Sequence, residues 1–289
     1  MVTRRVHKRQ MLLLDDDEVD RIIEYTLAYC PHKYDLELHA IVVEGNHIHR
    51  VDTDPLGERP DFIRDFHALL ARQLNVYYGE ADAFFSNKQT SIVDCEAAHD
   101  VLKRIVYTMG NPVADGIERH GANHRGIRMR WPQPPRVIQR PRRFWRSIED
   151  GGVAPNELTL RFTRPPGFDG LTDEELDTLL EGRILAYEKD QRDHRDREGR
   201  PFLCDQPEGK RPKAGCFPSS PHRLFELSPL IGAALEKHRR DAIRRLRQFR
   251  HDHEEARLRV LAGDTDVVFP YGTFQAVRRW GCAAAPAPT

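Results

Sequence analysis

No stretch of this sequence approaches the roughly 20 consecutive apolar residues that a helix needs to cross a bilayer. No signal peptide opens it either, the apolar run after the first basic residues being only Met11 to Leu14, so a soluble, cytoplasmic protein with no membrane partner is expected. Cysteine is scarce and scattered. Cys30, Cys95, Cys204, Cys216 and Cys282 form no Cys-x-x-Cys, which points to free thiols in a reducing compartment. There is no Walker loop, no Rossmann fingerprint and no internal repeat. A net charge is missing too, because 45 Lys and Arg balance 45 Asp and Glu. Hydrophobic residues at 39% and charged residues at 31% place the 289 residues among globular proteins on the polar side, long enough for one large or two modest domains.

Phosphate affinity follows the local charge footprint rather than the sum, and the charge is blocky. Arg4, Arg5, Lys8 and Arg9 crowd the start. Between Glu118 and Glu149 no acid occurs, while Arg119, Arg125, Arg128, Arg130, Arg136, Arg140, Arg142, Arg143 and Arg146 do, with Trp131, Phe144 and Trp145 interleaved. Basic residues with aromatics can track a nucleic-acid backbone and stack unpaired bases, at about 1–3 kcal/mol per base. A solvated, proline-broken linker accounts for any single arginine here equally well.

The most informative stretch runs from Asp35 to Asp54. Leu36, Leu38 and Ala40 to Val43 form strands readily, Glu44-Gly45-Asn46 is turn chemistry, and His47-Ile-His-Arg-Val51 resumes the extended pattern. The segment reads as a hairpin. Alternation along a strand sends His47 and His49 to one side and Ile48 to the other, so two imidazoles converge from one element. Taken alone, such a pair is more often a solvated face than a metal site. His251-Asp-His253, with the same spacing inside a helical pattern, projects to nearly opposite sides and cannot chelate through one face.

A second element lies at Asp100 to Gly116. Val101, Leu102, Ile105, Val106 and Met109 form an apolar stripe at helical spacing, expected to end where Gly110 and Pro112 oppose continuation. Tyr107 and Asn111, four apart, face the same way. By itself Tyr107 is more often a core tyrosine at a helix end.

The Asn-His-Ile-His hairpin and the later Tyr-Thr-Met-Gly-Asn-Pro-Val-Ala-Asp-Gly helix end, in that order, resemble the single-tyrosine HUH transposases. The likeness is to their REP-associated tyrosine transposase branch, related to the insertion-sequence-200 group. It covers about Thr3 to Ile127. It implies that His47 and His49 are the paired metal ligands, Asn111 the polar third ligand and Tyr107 the nucleophile. Mg²⁺ or Mn²⁺ is the implied ion, since oxygen donors suit hard cations and imidazole shifts the choice towards Mn²⁺. The ion would polarise a non-bridging phosphate oxygen, and tyrosine attack would give a 5′-phosphotyrosyl enzyme and a free 3′-hydroxyl. That bond conserves the phosphodiester energy, so strand joining needs no nucleotide cofactor.

The implied partner is single-stranded or hairpin DNA, nicked and rejoined beside an imperfect palindrome by a monomer or a homodimer. Arg4, Arg5, Lys88, Arg125, Arg128 and Arg130 are the expected nucleic-acid contacts. Arg50 stands where the family usually carries an apolar strand residue, and Glu44-Gly45 replaces a more apolar approach to the turn. Two other readings stay open: a catalytically silent nucleic-acid-binding regulator on the same fold, and a metal-dependent phosphodiesterase using His47 and His49 without a covalent step.

The surrounding elements suggest an α+β fold. Val2 to Val6 reads as a first strand. Asp15-Asp16-Asp17-Glu18 open a helix to about Cys30, where capping rather than a metal site explains the acids. Asp61 to about Tyr78 is an amphipathic helix between Pro60 and Gly79, and Phe84 to Val93 returns as a strand with Asn87-Lys88-Gln89 near the DNA. The order gives a ferredoxin-like layout, an antiparallel sheet with helices on one face. A catalytic domain is thus expected over residues 1–127. Residues 128–289 are expected to form a linker and a mostly helical extension of possible DNA-binding role. Within it, Leu158 to Phe162 reads as a strand and Thr172-Asp-Glu-Glu175 as a capping box opening a helix to about Arg197. Ser228-Pro229 should cap a long helix to about Leu261, with Arg239, Arg240, Arg244, Arg245, Arg247 and Arg250 as a basic face contacting DNA. Val267 to Val277 reads as a closing hairpin.

Overall fold

The computed structural model describes all residues except 15, 87–89, 143, 145–153, 208–210, 219–229 and 287–289. Two compact units emerge, Met1–Leu230 and Ile231–Thr289. The first contains β1 (Val2–Arg5), α1 (Asp17–Tyr29), β2 (Glu37–Glu44), β3 (His47–Thr53), α2 (Arg59–Tyr78), β4 (Ser91–Ile92), β5 (Asp94–Cys95) and α3 (Ala98–Ala114). It continues through β6 (Arg128–Arg130), β7 (Arg136–Gln139), β8 (Glu157–Leu160) and α4 (Asp173–Arg197). The second contains β9 (Ile231–Gly232), α5 (Glu236–Leu261), β10 (Val268–Phe269), α6 (Gln275–Trp280) and β11 (Ala283–Ala284).

The expected mixed α+β architecture is present as a five-stranded antiparallel sheet in the order β4-β1-β3-β2-β6. The expectation that helices cover one face is corrected. β2 carries Ala40, Ile41, Val42 and Val43 in succession, all at most 1% exposed, so both of its faces need cover. On one side Ile41, Val43 and Ile48 pack with Ile23 and Leu27 of α1 and Phe62, Phe66 and Leu70 of α2. On the other, Ala40 and Val51 pack with Ile105 and Met109 of α3 and Leu180 and Ile184 of α4. Each such side chain contributes about 1.5–3 kcal/mol relative to exposure.

Local chemistry explains most element ends. Asp16 caps α1 by accepting from the amides of Glu18 and Val19, both at 3.0 Å, which accounts for the acidic run there. α2 stops at Gly79 in the left-handed region, φ 70°. α4 opens on the expected capping box, with Thr172 and Glu175 exchanging side-chain to backbone bonds. α3, in contrast, does not end at Gly110 or Pro112 but runs to Ala114. Pro112 removes one amide donor in the last turn while its fixed φ suits a helix. A Cβ on Gly110 would run into the Tyr187 ring of α4, so this glycine permits close helix approach instead of breaking the helix.

Among the described residues, the strand expected over Phe84 to Val93 shows as a bridge between Phe85 and Val6 and the two residues of β4. Asn87, Lys88 and Gln89 lie outside the described residues. A domain boundary at 127/128 is also corrected, because β6 is an edge strand of the main sheet, paired to β2. The arginines around it mostly hold this unit together. Arg130 pairs with Asp177 at 2.6 Å and Glu181 at 2.9 Å, Arg136 with Glu24 at 2.8 Å, and Arg119 with Asp196 and Asp205. Trp131 is buried and Phe144 stacks edge-on against Tyr25 at 4.6 Å. Neither is a base-stacking platform as it stands. Trp145 is outside the described residues.

In the second unit α5 begins at Glu236, and the cap expected at Ser228-Pro229 falls outside the described residues. Its arginines are exposed, with Arg240 paired to Glu236 and Arg244 to Asp241. The expected closing hairpin is instead a parallel pairing of β10 with β11. Gln275 to Trp280 takes up α6 between them, the kind of crossover that parallel strands require. All five cysteines are free. Among the described residues no helix is long and apolar enough to cross a membrane.

Candidate metal and nucleophile site

The β2–β3 hairpin turns on two residues, Gly45 and Asn46, and pairs Glu44 directly with His47. Alternation along β3 places His47, His49 and Val51 towards α3, and Ile48 and Arg50 towards α2. Arg50 is therefore no part of the site. It lies buried with its guanidinium 4.4 Å from the Phe62 ring and its Nε donating to Asp52 at 2.7 Å.

The two imidazoles sit edge to face with centroids 4.7 Å apart, at 8% and 5% exposure. His47 Nδ1 donates to Asn46 Oδ1 at 2.8 Å, which leaves Nε2 as the lone-pair nitrogen. Thr3 Oγ1 holds Nδ1 of His49 at 2.8 Å. Burial pushes both rings down to about 3, reinforced at His47 by His49 and at His49 by Arg5. Both are neutral at ordinary pH, as a metal-ligating imidazole must be.

From the far side, α3 presents Tyr107, Asn111 and Asp115 four residues apart on one face. The Tyr107 ring lies 5.6 Å from the His49 ring, edge to face. Asn111 Nδ2 donates to Glu44 Oε1 at 2.9 Å and stands 3.4 Å from His47 Nε2. Burial raises the Tyr107 phenol above its usual value, and Asp115 and Glu44 raise it further. Burial, then Asp115, likewise holds the Glu44 carboxyl well above the carboxylate range. A cation among these groups would reverse those shifts. Two buried oxygens, Glu44 Oε2 and Asn111 Oδ1, have no hydrogen-bond partner among the described residues. Each such vacancy costs about 1–3 kcal/mol. Glu44, His47 and Asp115 each offer one ligand atom within 4.8 Å of the others, so a neutral imidazole and two carboxyl groups there could hold a divalent ion.

His47, Glu44 and Asp115 open onto a cleft of about 1580 Å³, which Arg5, Arg9, Arg125 and Lys213 also line. The expected nucleic-acid residues divide accordingly. Arg5 and Arg125 are exposed at the cleft. Arg4 points to the opposite face of β1, over the Phe85 ring and bonded to Thr90. Arg128 binds the Met109 carbonyl and Glu188, and Arg130 its two carboxylates. These three are engaged within the chain, since strand alternation turns them towards packed elements and away from the exposed set at the cleft. Lys88 lies outside the described residues. Glu44, Asp115, Arg9 and Lys213 were not anticipated. The i, i+4, i+8 series from Tyr107 would have found Asp115, and a two-residue turn would have found Glu44. No protein-family model, curated protein or solved structure matches this chain.

Proposed function

We propose that this chain is a metal-dependent strand transferase acting on single-stranded DNA beside hairpins, with a ferredoxin-like HUH domain as its catalytic frame. The observation that carries the reading is convergence. The phenol of Tyr107, more than fifty residues from the hairpin in sequence, packs against His49, and Asn111 one turn on meets His47. A divalent ion at His47, His49 and Asn111 would polarise a non-bridging oxygen of the scissile phosphate. The Tyr107 oxygen loses its proton and forms the bond to phosphorus, the bond from phosphorus to the 3′-oxygen breaks, and that oxygen leaves as a 3′-hydroxyl. The reverse step rejoins strands. Arg5, Arg9, Arg125 and Lys213 supply a phosphate-binding wall beside the chemistry.

The test is a labelled single-stranded hairpin oligonucleotide incubated with the protein and Mn²⁺, resolved on a denaturing gel. A protein-linked DNA band is expected, and Tyr107→Phe should abolish it. Cleavage without that band would assign the site to a phosphodiesterase, and a mobility shift alone to a DNA-binding regulator.

A further inference from the structure

We infer that the ion-binding set of this chain is centred on Glu44, with Asp115 and His47 completing a one-imidazole, two-carboxylate site that the Asn111 amide N–H braces through Glu44 Oε1. The inference concerns the same site, keeps His47, puts the two carboxylates in place of His49 and Asn111 as ligands, and does not need strand transfer to be correct.

The geometry comes first. A hard cation about 2.0–2.6 Å from its ligands holds neighbouring ligand atoms about 3–5 Å apart. Here Glu44 Oε2 is 3.5 Å and Asp115 Oδ2 3.9 Å from His47 Nε2. One ligand atom from each of the three lies within 4.8 Å of the others, and His49 is not in that group. The spacing of a coordination shell is therefore already present at Glu44, His47 and Asp115, whereas His49 sits on the Tyr107 side.

The second observation is independent of the spacing. The Glu44 side chain is 2% exposed, and its Oε2, on the His47 side, has no hydrogen-bond partner among the described residues. Oε1 is satisfied by Asn111, whose own Oδ1 is also unmatched at 1% exposure. Among the described residues no Lys or Arg pairs with this buried carboxyl, whose neighbours are an imidazole and a second carboxyl. Asp115 is half-exposed and lines the cleft, giving the ion an open side. Two carboxylates are hard donors and, beside one imidazole, suit Mg²⁺ or Mn²⁺.

The experiment is Mn²⁺ titration of the full chain without DNA, by calorimetry and by loss of the free Mn²⁺ EPR signal. Glu44→Gln preserves shape, and its melting curve reports whether the variant is folded. The inference expects tight binding by the unaltered chain and a loss of about 10–100-fold or more in Glu44→Gln, larger than in His49→Ala. Should Glu44→Gln not fold, Asp115→Asn, at a half-exposed side chain, carries the test and should weaken binding several-fold. Equal Mn²⁺ affinity in the unaltered chain and the folded variant overturns the inference, as does no binding by either. Weakened binding in Glu44→Gln, together with no DNA adduct from the unaltered chain, supports this inference and removes the strand-transfer reading alone.

Discussion

Arg50 and Asp52 illustrate how much one side chain's direction decides. Burial pushes the Asp52 carboxyl up, but Arg50 and Arg59 outweigh it and hold the group below its ordinary value of 3.8. The folded state therefore binds this proton less readily than the unfolded chain. The ion pair contributes its full stability above pH 3.8 and loses it as pH falls through the depressed folded value. Asp52→Asn leaves Arg50 buried with a neutral partner and should cost about 3–5 kcal/mol at neutral pH. Urea unfolding of both proteins across pH should show that gap closing below about pH 4. A gap that persists unchanged at pH 3 would rule the ion pair out as its source. Strand alternation puts the two histidines on one side and helical spacing aligns Tyr107 with Asn111, but that these four form one site is what the family resemblance implies. Glu44 is not legible, because Glu44-Gly45-Asn46 reads as a three-residue turn, whereas Gly45-Asn46 alone closes the hairpin and leaves Glu44 paired with His47.

At the scale of elements, α3 brings Asn111 and Asp115 to the hairpin only because it continues through Gly110 and Pro112. Sequence rules weigh glycine and proline as breakers, but packing against Tyr187 and burial of Ile105, Met109 and Val113 override that weighting. Gly110→Ala should therefore destabilise rather than stiffen the helix, by about 1–3 kcal/mol. Combining it with Tyr187→Leu should recover much of the loss in thermal unfolding. If Gly110→Ala alone raises the melting temperature, the close approach is not what selects glycine. The continuous apolar run Ala40 to Val43 does signal cover on both faces, but which elements supply the second layer is harder to read, because α4, which joins α3 there, lies far along the chain.

For the whole molecule, a net charge of zero conceals an uneven division of labour among arginines. The sequence shows where basic residues are dense but not which are already matched, since Asp177, Glu181 and Glu188 arrive from α4, some fifty residues on. Arg125→Ala and Lys213→Ala should each weaken hairpin binding and lower the dependence of log K on log salt by about 1. Arg128→Ala should leave that slope alone and lower the melting temperature instead. Fluorescence anisotropy over a salt series distinguishes the two outcomes, and an equal slope change for Arg128→Ala would return it to the DNA contacts.

The position of β6 in the chain also bears on how the protein is made. The strand that closes the β2 edge is translated about 80 residues after β2 itself. At roughly 5–20 residues per second, an almost wholly apolar strand waits on the order of ten seconds on the ribosome before its partner emerges, and longer for α4. Synthesis of this chain thus exposes a sticky hydrogen-bonding edge just when chaperone capture matters most.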